Sequence, residues 1–149
     1  MLIRTHLAIT LLFVLALLSR VEHQIIFVIV ALVATFIPDI DSRYSTIGKN
    51  KINRIFQFFT KHRGIIHSFT FLFLLTLIFL FFVPVIAFPF FLGYSLHLLA
   101  DSFTIEGIQP FYPIKAKSHG VLETGGRTEF FILIAFIIID FFVLLSVVR

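Results

Sequence analysis

The sequence predicts an all-α fold: an integral membrane helical bundle of about five transmembrane helices with a short interfacial amphipathic helix, forming one membrane-embedded domain over residues 1–149. Three observations carry that expectation. The hydrophobic fraction is 59% and the mean hydropathy +1.07, against about 45–50% apolar residues in soluble domains. Phe alone supplies 22 of the 149 residues. The apolar residues gather into long runs, with no Gly/Ser linker, charge block or internal repeat that would divide the chain.

The elements follow in order. Apolar runs cover Leu2 to Leu18 and Gln24 to Ile37, parted by the polar hinge Ser19-Arg20-Val21-Glu22-His23. The run from Ile65 to Ala100 exceeds the roughly 20 residues one crossing needs, and Pro84 divides it into two spans joined by a tight turn. The last span runs from Phe130 to Val148, with Asp140 its single charged member. Between spans, Ile52, Ile55, Phe56 and Phe59 fall at i, i+3, i+4 and i+7 within Lys51–Thr60, which predicts a helix lying in the interface. Thr104, Gly107, Pro110 and Pro113 predict turns in a compact lid before the last span.

Charge sets the orientation. With five spans, Arg4, Arg43, Lys49, Lys51, Arg54, Lys61, Arg63, Lys115, Lys117 and Arg127 share one side, leaving Arg20 and Arg149 opposite. The positive-inside rule then puts the amino terminus in the cytoplasm, the carboxyl terminus outside and the protein in the cell (inner) membrane. The basic balance, pI near 9.8, thus marks cytoplasmic loops and not a nucleic-acid partner. A cleaved signal peptide is the rival reading of Met1–Leu18, but no small-x-small cleavage site follows and His6 interrupts the run.

This topology collects His6, Asp39, Asp41, His62, His67, His97 and Asp101 at one depth near the cytoplasmic face, and excludes His23. Imidazoles and carboxylates are the ligands that zinc, manganese and iron take, and with no Cys a metal must be held by nitrogen and oxygen. His97 and Asp101 stand at i, i+4, on one face about a turn apart. The structural alternative is a buried hydrogen-bonded pair, but ionisable groups at membrane depth are costly and usually functional. In Pro38-Asp39-Ile40-Asp41-Ser42, extended backbone would point both carboxylates one way, whereas a plain helix-terminating loop explains the residues equally.

In His62-Arg63-Gly64-Ile65-Ile66-His67-Ser68, continuous helix would leave the imidazoles about 140° apart. A bend at Gly64 would bring His62 in from the pre-helix segment and His67 from the first turn. Arg63 has the fork that suits a phosphate or carboxylate, or it is a positive-inside anchor. Glu129 lies at the same level as a possible ligand or base, while the sequence defines no geometry for His119 and Glu123.

These motifs, with Gly93-Tyr94-Ser95-Leu96-His97-Leu98-Leu99-Ala100-Asp101 and Thr104-Ile105-Glu106-Gly107 followed by Pro113, resemble the YdjM-type family of membrane-bound, metal-dependent hydrolases. Members are described as inner-membrane-associated hydrolases, some of them LexA-binding. The resemblance covers nearly the whole chain. It implies metal ligation by Asp39, Asp41, His62, His67, His97 and Asp101, with His6 matching an early histidine and Glu129 a late acidic residue. The chain departs from the pattern where Ser95 and Leu96 stand in swapped order before His97.

The expectation is therefore a metal-dependent hydrolase using one or two divalent cations, zinc first and manganese or iron as alternatives. Asp41 or Glu129 would act as general base and Arg63 would steady an anionic substrate. Headgroup depth points to a lipid or lipid-linked phosphoester, with membrane lipids as partners. Three rivals stand beside it: a membrane di-iron oxidoreductase, an ion transporter with a transient site, and a non-catalytic membrane scaffold.

Overall fold

The computed structural model describes residues 1–41 and 65–148. Among the described residues five α-helices follow one another: α1 (Ile3–Leu17), α2 (Gln24–Phe36), α3 (Phe69–Phe82), α4 (Pro84–Ser102) and α5 (Arg127–Val148). A 3-10 turn at Leu18–Arg20 extends α1, and another at Pro38–Asp41 follows α2. Among the described residues β structure is limited to one isolated bridge, Thr104 with Leu122. The all-α membrane bundle is the fold.

Among the described residues three helical stretches are long and apolar enough to cross a bilayer: Ile3–Arg20, Pro84–Ser102 and Arg127–Val147. Helices α2 and α3 have 13 and 14 residues, about 20 Å at 1.5 Å per residue against the roughly 30 Å hydrocarbon core. The count of five spans is thus approximate: three full-length helices and two short apolar ones. Helix α3 keeps a lipid-facing character, burying Leu72 while exposing Phe73, Leu74, Leu77, Phe81 and Phe82. The Lys51–Thr60 helix expected from periodicity lies outside the described residues.

Chain chemistry explains the breaks. Pro38 has no N–H for the Ala34 carbonyl, and the ladder tightens ahead of it, Ile37 keeping α backbone (φ −61°, ψ −43°) while its N–H donates to Ala34 O at 3.2 Å. Val83 both ends α3, donating to Phe79 O at 2.8 Å, and precedes α4, where Pro84 occupies a first-turn position that needs no donor. The tight turn expected at Pro84 is there.

Helix α4 is the centre of the bundle. Its Phe90, Tyr94 and Leu98 form one buried cluster with Ala34, Leu72 and Ile108, while Val14, Phe27 and Ala31 form a second between α1 and α2. At Gly93 the α2 backbone comes so close that a Cβ would lie 2.0 Å from the Ala31 carbonyl oxygen. Thr35 fills the same seam, its hydroxyl 3.0 Å from that of Thr10 and donating to Ala31 O at 2.9 Å. This approach brings the end of α2 against the last turns of α4.

The loop from α4 to α5 is tied to itself: Ile105 N–H donates to Leu122 O (2.9 Å) and Ser118 N–H to Ile108 O (2.9 Å). Gly107 sits at φ 58°, where a Cβ would strike the Ser118 carbonyl at 1.6 Å. The compact lid read from the turn residues is present.

Two boundaries differ from expectation. Helix α3 begins at Phe69 and not at Ile65, because the Ser68 hydroxyl accepts from Phe71 N–H at 3.3 Å and caps it there. Helix α5 begins at Arg127 and not at Phe130, because Glu129 reaches back to accept Gly125 N–H at 2.6 Å, an arrangement like a capping box.

Candidate metal centre

The centre is built outward from the last turns of α4. His97 and Asp101 share one face as their spacing requires, His97 Nε2 lying 3.6 Å from Asp101 Oδ2. His97 Nδ1 lies 2.8 Å from the Thr35 carbonyl oxygen. A carbonyl only accepts, so Nδ1 carries a hydrogen, and in the neutral ring Nε2 presents its lone pair to the cluster. The α2 terminus leaves that carbonyl available, since the final four carbonyls of a helix have no partner in it.

Three further segments close on the same point. His6, in the first turns of α1, stacks on His97 with centroids 3.9 Å apart and rings 7° from parallel. Its Nε2 is 3.3 Å from Asp101 Oδ1. His67 arrives from the turn before α3, with Nε2 3.8 Å from Asp101 Oδ2 and its ring edge-on to His97 at 5.7 Å. Asp39 enters from the 3-10 turn after α2, its Oδ1 3.9 Å from His97 Nε2. His6, His67, His97 and Asp101 are buried to 2% exposure or less.

Local structure holds each approach. Tyr94 Oη donates to Ile66 O at 2.6 Å and Ser68 Oγ to Ile65 O at 2.5 Å, fixing the turn that carries His67. Phe69 N–H donates to Pro110 O at 2.8 Å, clamping that turn under the α4–α5 loop. Thr104 Oγ1 donates to Asp101 O at 2.7 Å, tying the start of the loop to the end of α4.

The donor atoms form two overlapping sets, His6/His97/Asp101 and Asp39/His67/His97, each within 4.8 Å. Both His6 ring nitrogens and His97 Nε2 are buried without a hydrogen-bond partner, a costly condition for polar atoms that serve no other purpose. The Met1 ammonium pairs with Asp101, placing positive charge beside that carboxylate. Orphaned imidazole nitrogens beside an ionisable carboxylate, with one tautomer fixed from behind, fit a divalent cation.

Of the residues expected at the site, the structure brings together His6, Asp39, His67, His97 and Asp101. His67 comes from the pre-helix turn and not from the first turn of α3, which starts later than expected. Pro38–Asp41 is a 3-10 turn and not an extended segment. Pro38 tightens the backbone there, so the alternation of an extended segment does not apply. The Asp41 side chain, with His62 and Arg63, lies outside the described residues.

Glu129 is beside the cluster but outside both sets. It accepts three hydrogen bonds: from Leu2 N–H (2.6 Å) and Thr5 Oγ1 (2.7 Å) on Oε1, and from Gly125 N–H (2.6 Å) on Oε2. His119 and Asp140 also belong to neither set; His119 is exposed, and Asp140 is buried in α5 with Oδ1 unbonded. Sequence reasoning missed Thr35, Ser68 and Tyr94. Pro38 three residues after Thr35 marks a helix end with free carbonyls, and Ser68 before an apolar run is an N-cap signal.

No curated protein and no solved structure shows significant similarity to this chain. The family of the YdjM inner membrane protein matches residues 1–148, and the chain belongs to that family.

Proposed function

We propose that the chain is a membrane-bound, metal-dependent hydrolase acting on a lipid or lipid-linked phosphoester at the cytoplasmic membrane face. The observation that carries this reading is the convergence of His6, His67 and His97, from three separate segments, on the Asp101 carboxylate at one end of the bundle. Those four residues and Asp39 would hold the cation, and a nitrogen and oxygen set of this kind suits zinc, with manganese or iron as alternatives. When bound, such a cation supplies Lewis acidity, lowering the pKa of a coordinated water and polarising a phosphoryl oxygen.

The remaining work falls to the chain. Thr35 orients His97 through its carbonyl, the closed packing around Asp101 keeps bulk water out, and the Tyr94 and Ser68 hydroxyls hold the His67 turn. Asp41 is assigned the general base and Arg63 the contact to the anionic substrate. Glu129, already accepting three hydrogen bonds, is assigned to fastening the start of α1 to α5. The ten Lys and Arg residues on the loop side against two opposite support a cytoplasmic centre. Headgroup depth supports a substrate whose polar bond lies there.

Purified protein loaded with zinc or manganese should release product from lipid phosphoesters in mixed micelles, and His67→Ala should lower the rate at least about 100-fold. A loaded protein that cleaves no lipid phosphoester, or a His67→Ala variant as fast as wild type, contradicts the proposal.

A further inference from the structure

The loop joining α4 to α5 presents apolar side chains outward from a fixed backbone. Phe103, Ile105, Phe111, Ile114 and Val121 are 61, 55, 57, 62 and 89% exposed. Lys115 and Lys117 stand exposed among them, and no Asp or Glu occurs from Gly107 to Leu122. The exposure is built in and not a product of slack: Ile108 is fully buried, Ser118 N–H bonds Ile108 O, and Phe111 and Ile114 close a tight turn through a 2.8 Å hydrogen bond. Left in water, such a patch costs free energy in proportion to its apolar area.

Position decides what covers it. The loop leaves α4 at Ser102 and enters α5 at Arg127, the ends of two membrane-long helices, so it starts and finishes at headgroup level. Aromatic and aliphatic side chains flanked by lysines are the chemistry of a segment lying in the bilayer interface. Lysines near an anionic surface each contribute about fivefold in partitioning. We propose that residues 111–117, Phe-Tyr-Pro-Ile-Lys-Ala-Lys, form an interfacial anchor that buries Phe111 and Ile114 at the acyl boundary and sets Lys115 and Lys117 against anionic lipid headgroups.

The anchor is coupled to the centre by backbone. Pro110 O accepts from Phe69 N–H, two residues from His67, and Thr104 Oγ1 donates to the Asp101 carbonyl. Anionic headgroups gathered by the two lysines are therefore held beside the loop that bonds to the His67 turn and to the end of α4. This inference stands whether or not the centre hydrolyses anything.

The chain has no Trp, so Ile114→Trp supplies a single reporter. In nanodiscs of phosphatidylcholine its emission should be blue-shifted and quenched by lipids brominated along the acyl chain. Replacing about a third of the lipid with phosphatidylglycerol should deepen the quenching, and Lys115→Glu with Lys117→Glu should abolish that increment while retaining the signal in phosphatidylcholine. Elution profile and far-UV circular dichroism confirm that each variant is folded. Water-like emission without quenching in both lipids overturns the proposal. So does quenching that ignores phosphatidylglycerol, or burial that disappears when each disc holds one protein, which would mean a second copy covers the patch.

Discussion

Asp101 and Glu129 are both buried carboxylates at the same end of the bundle, and the first residues of the chain reach each of them, yet their partners differ in kind. Glu129 accepts from two backbone N–H groups, each at 2.6 Å, and from a threonine hydroxyl at 2.7 Å. Asp101 faces imidazole nitrogens of His6, His67 and His97 at 3.3, 3.8 and 3.6 Å. The donors around Glu129 carry fixed hydrogens, and its position at the start of α5 adds the favourable helix dipole. Beside Asp101, His97 donates through Nδ1 to the Thr35 carbonyl, so its neutral ring turns a lone pair toward the cluster. Burial and depth do not separate the two carboxylates, and both take a fixed-hydrogen donor, Asp101 from the Met1 ammonium; the three imidazoles around Asp101 separate them.

The sharpest way to break this contrast is Asp101→Asn. Bound metal should fall by more than the 10–100-fold typical of losing an outer partner, as read by elemental analysis. Next in size is Gly93→Ala, whose methyl would meet the Ala31 carbonyl at 2.0 Å. Prising α2 from α4 should cost about 3 kcal/mol in unfolding measured in detergent, and should weaken metal binding by separating the Thr35 carbonyl from His97.

Glu129→Gln should destabilise the protein by about 1–3 kcal/mol, because buried donors lose a charged acceptor, while leaving metal content unchanged. Metal loss matching that of Asp101→Asn would erase the distinction between the two carboxylates. The smallest effect is expected from Ser68→Ala, about 1 kcal/mol from the lost cap, with a few-fold weaker metal affinity as the His67 turn loosens. An unchanged affinity there would show that Tyr94 and the Phe69–Pro110 bond hold the turn without Ser68.

Helix placement was legible because apolar run length and the Pro84 break are direct consequences of bilayer thickness and backbone chemistry. The His97/Asp101 pair was legible because i, i+4 spacing survives any tertiary arrangement. His6 was much harder: one histidine near a helix start has no local pattern, and only the α1–α4 packing stacks it on His97. The extended segment that would align Asp39 and Asp41 gives way to a 3-10 turn, which no residue alternation in Pro38–Asp41 announces. Glu129 was placed at the right level, but its partners Leu2 and Thr5 lie more than a hundred residues away, beyond any spacing rule.

The central claim is that Asp101 and its three imidazoles form a metal centre while Glu129 does not. Elemental analysis of purified wild type, Asp101→Asn and Glu129→Gln, each incubated with zinc and then desalted, tests it most directly. The account predicts bound zinc in wild type and Glu129→Gln and background levels in Asp101→Asn, with all three equally helical by circular dichroism. Zinc retained in folded Asp101→Asn, or absent from wild type, would contradict it.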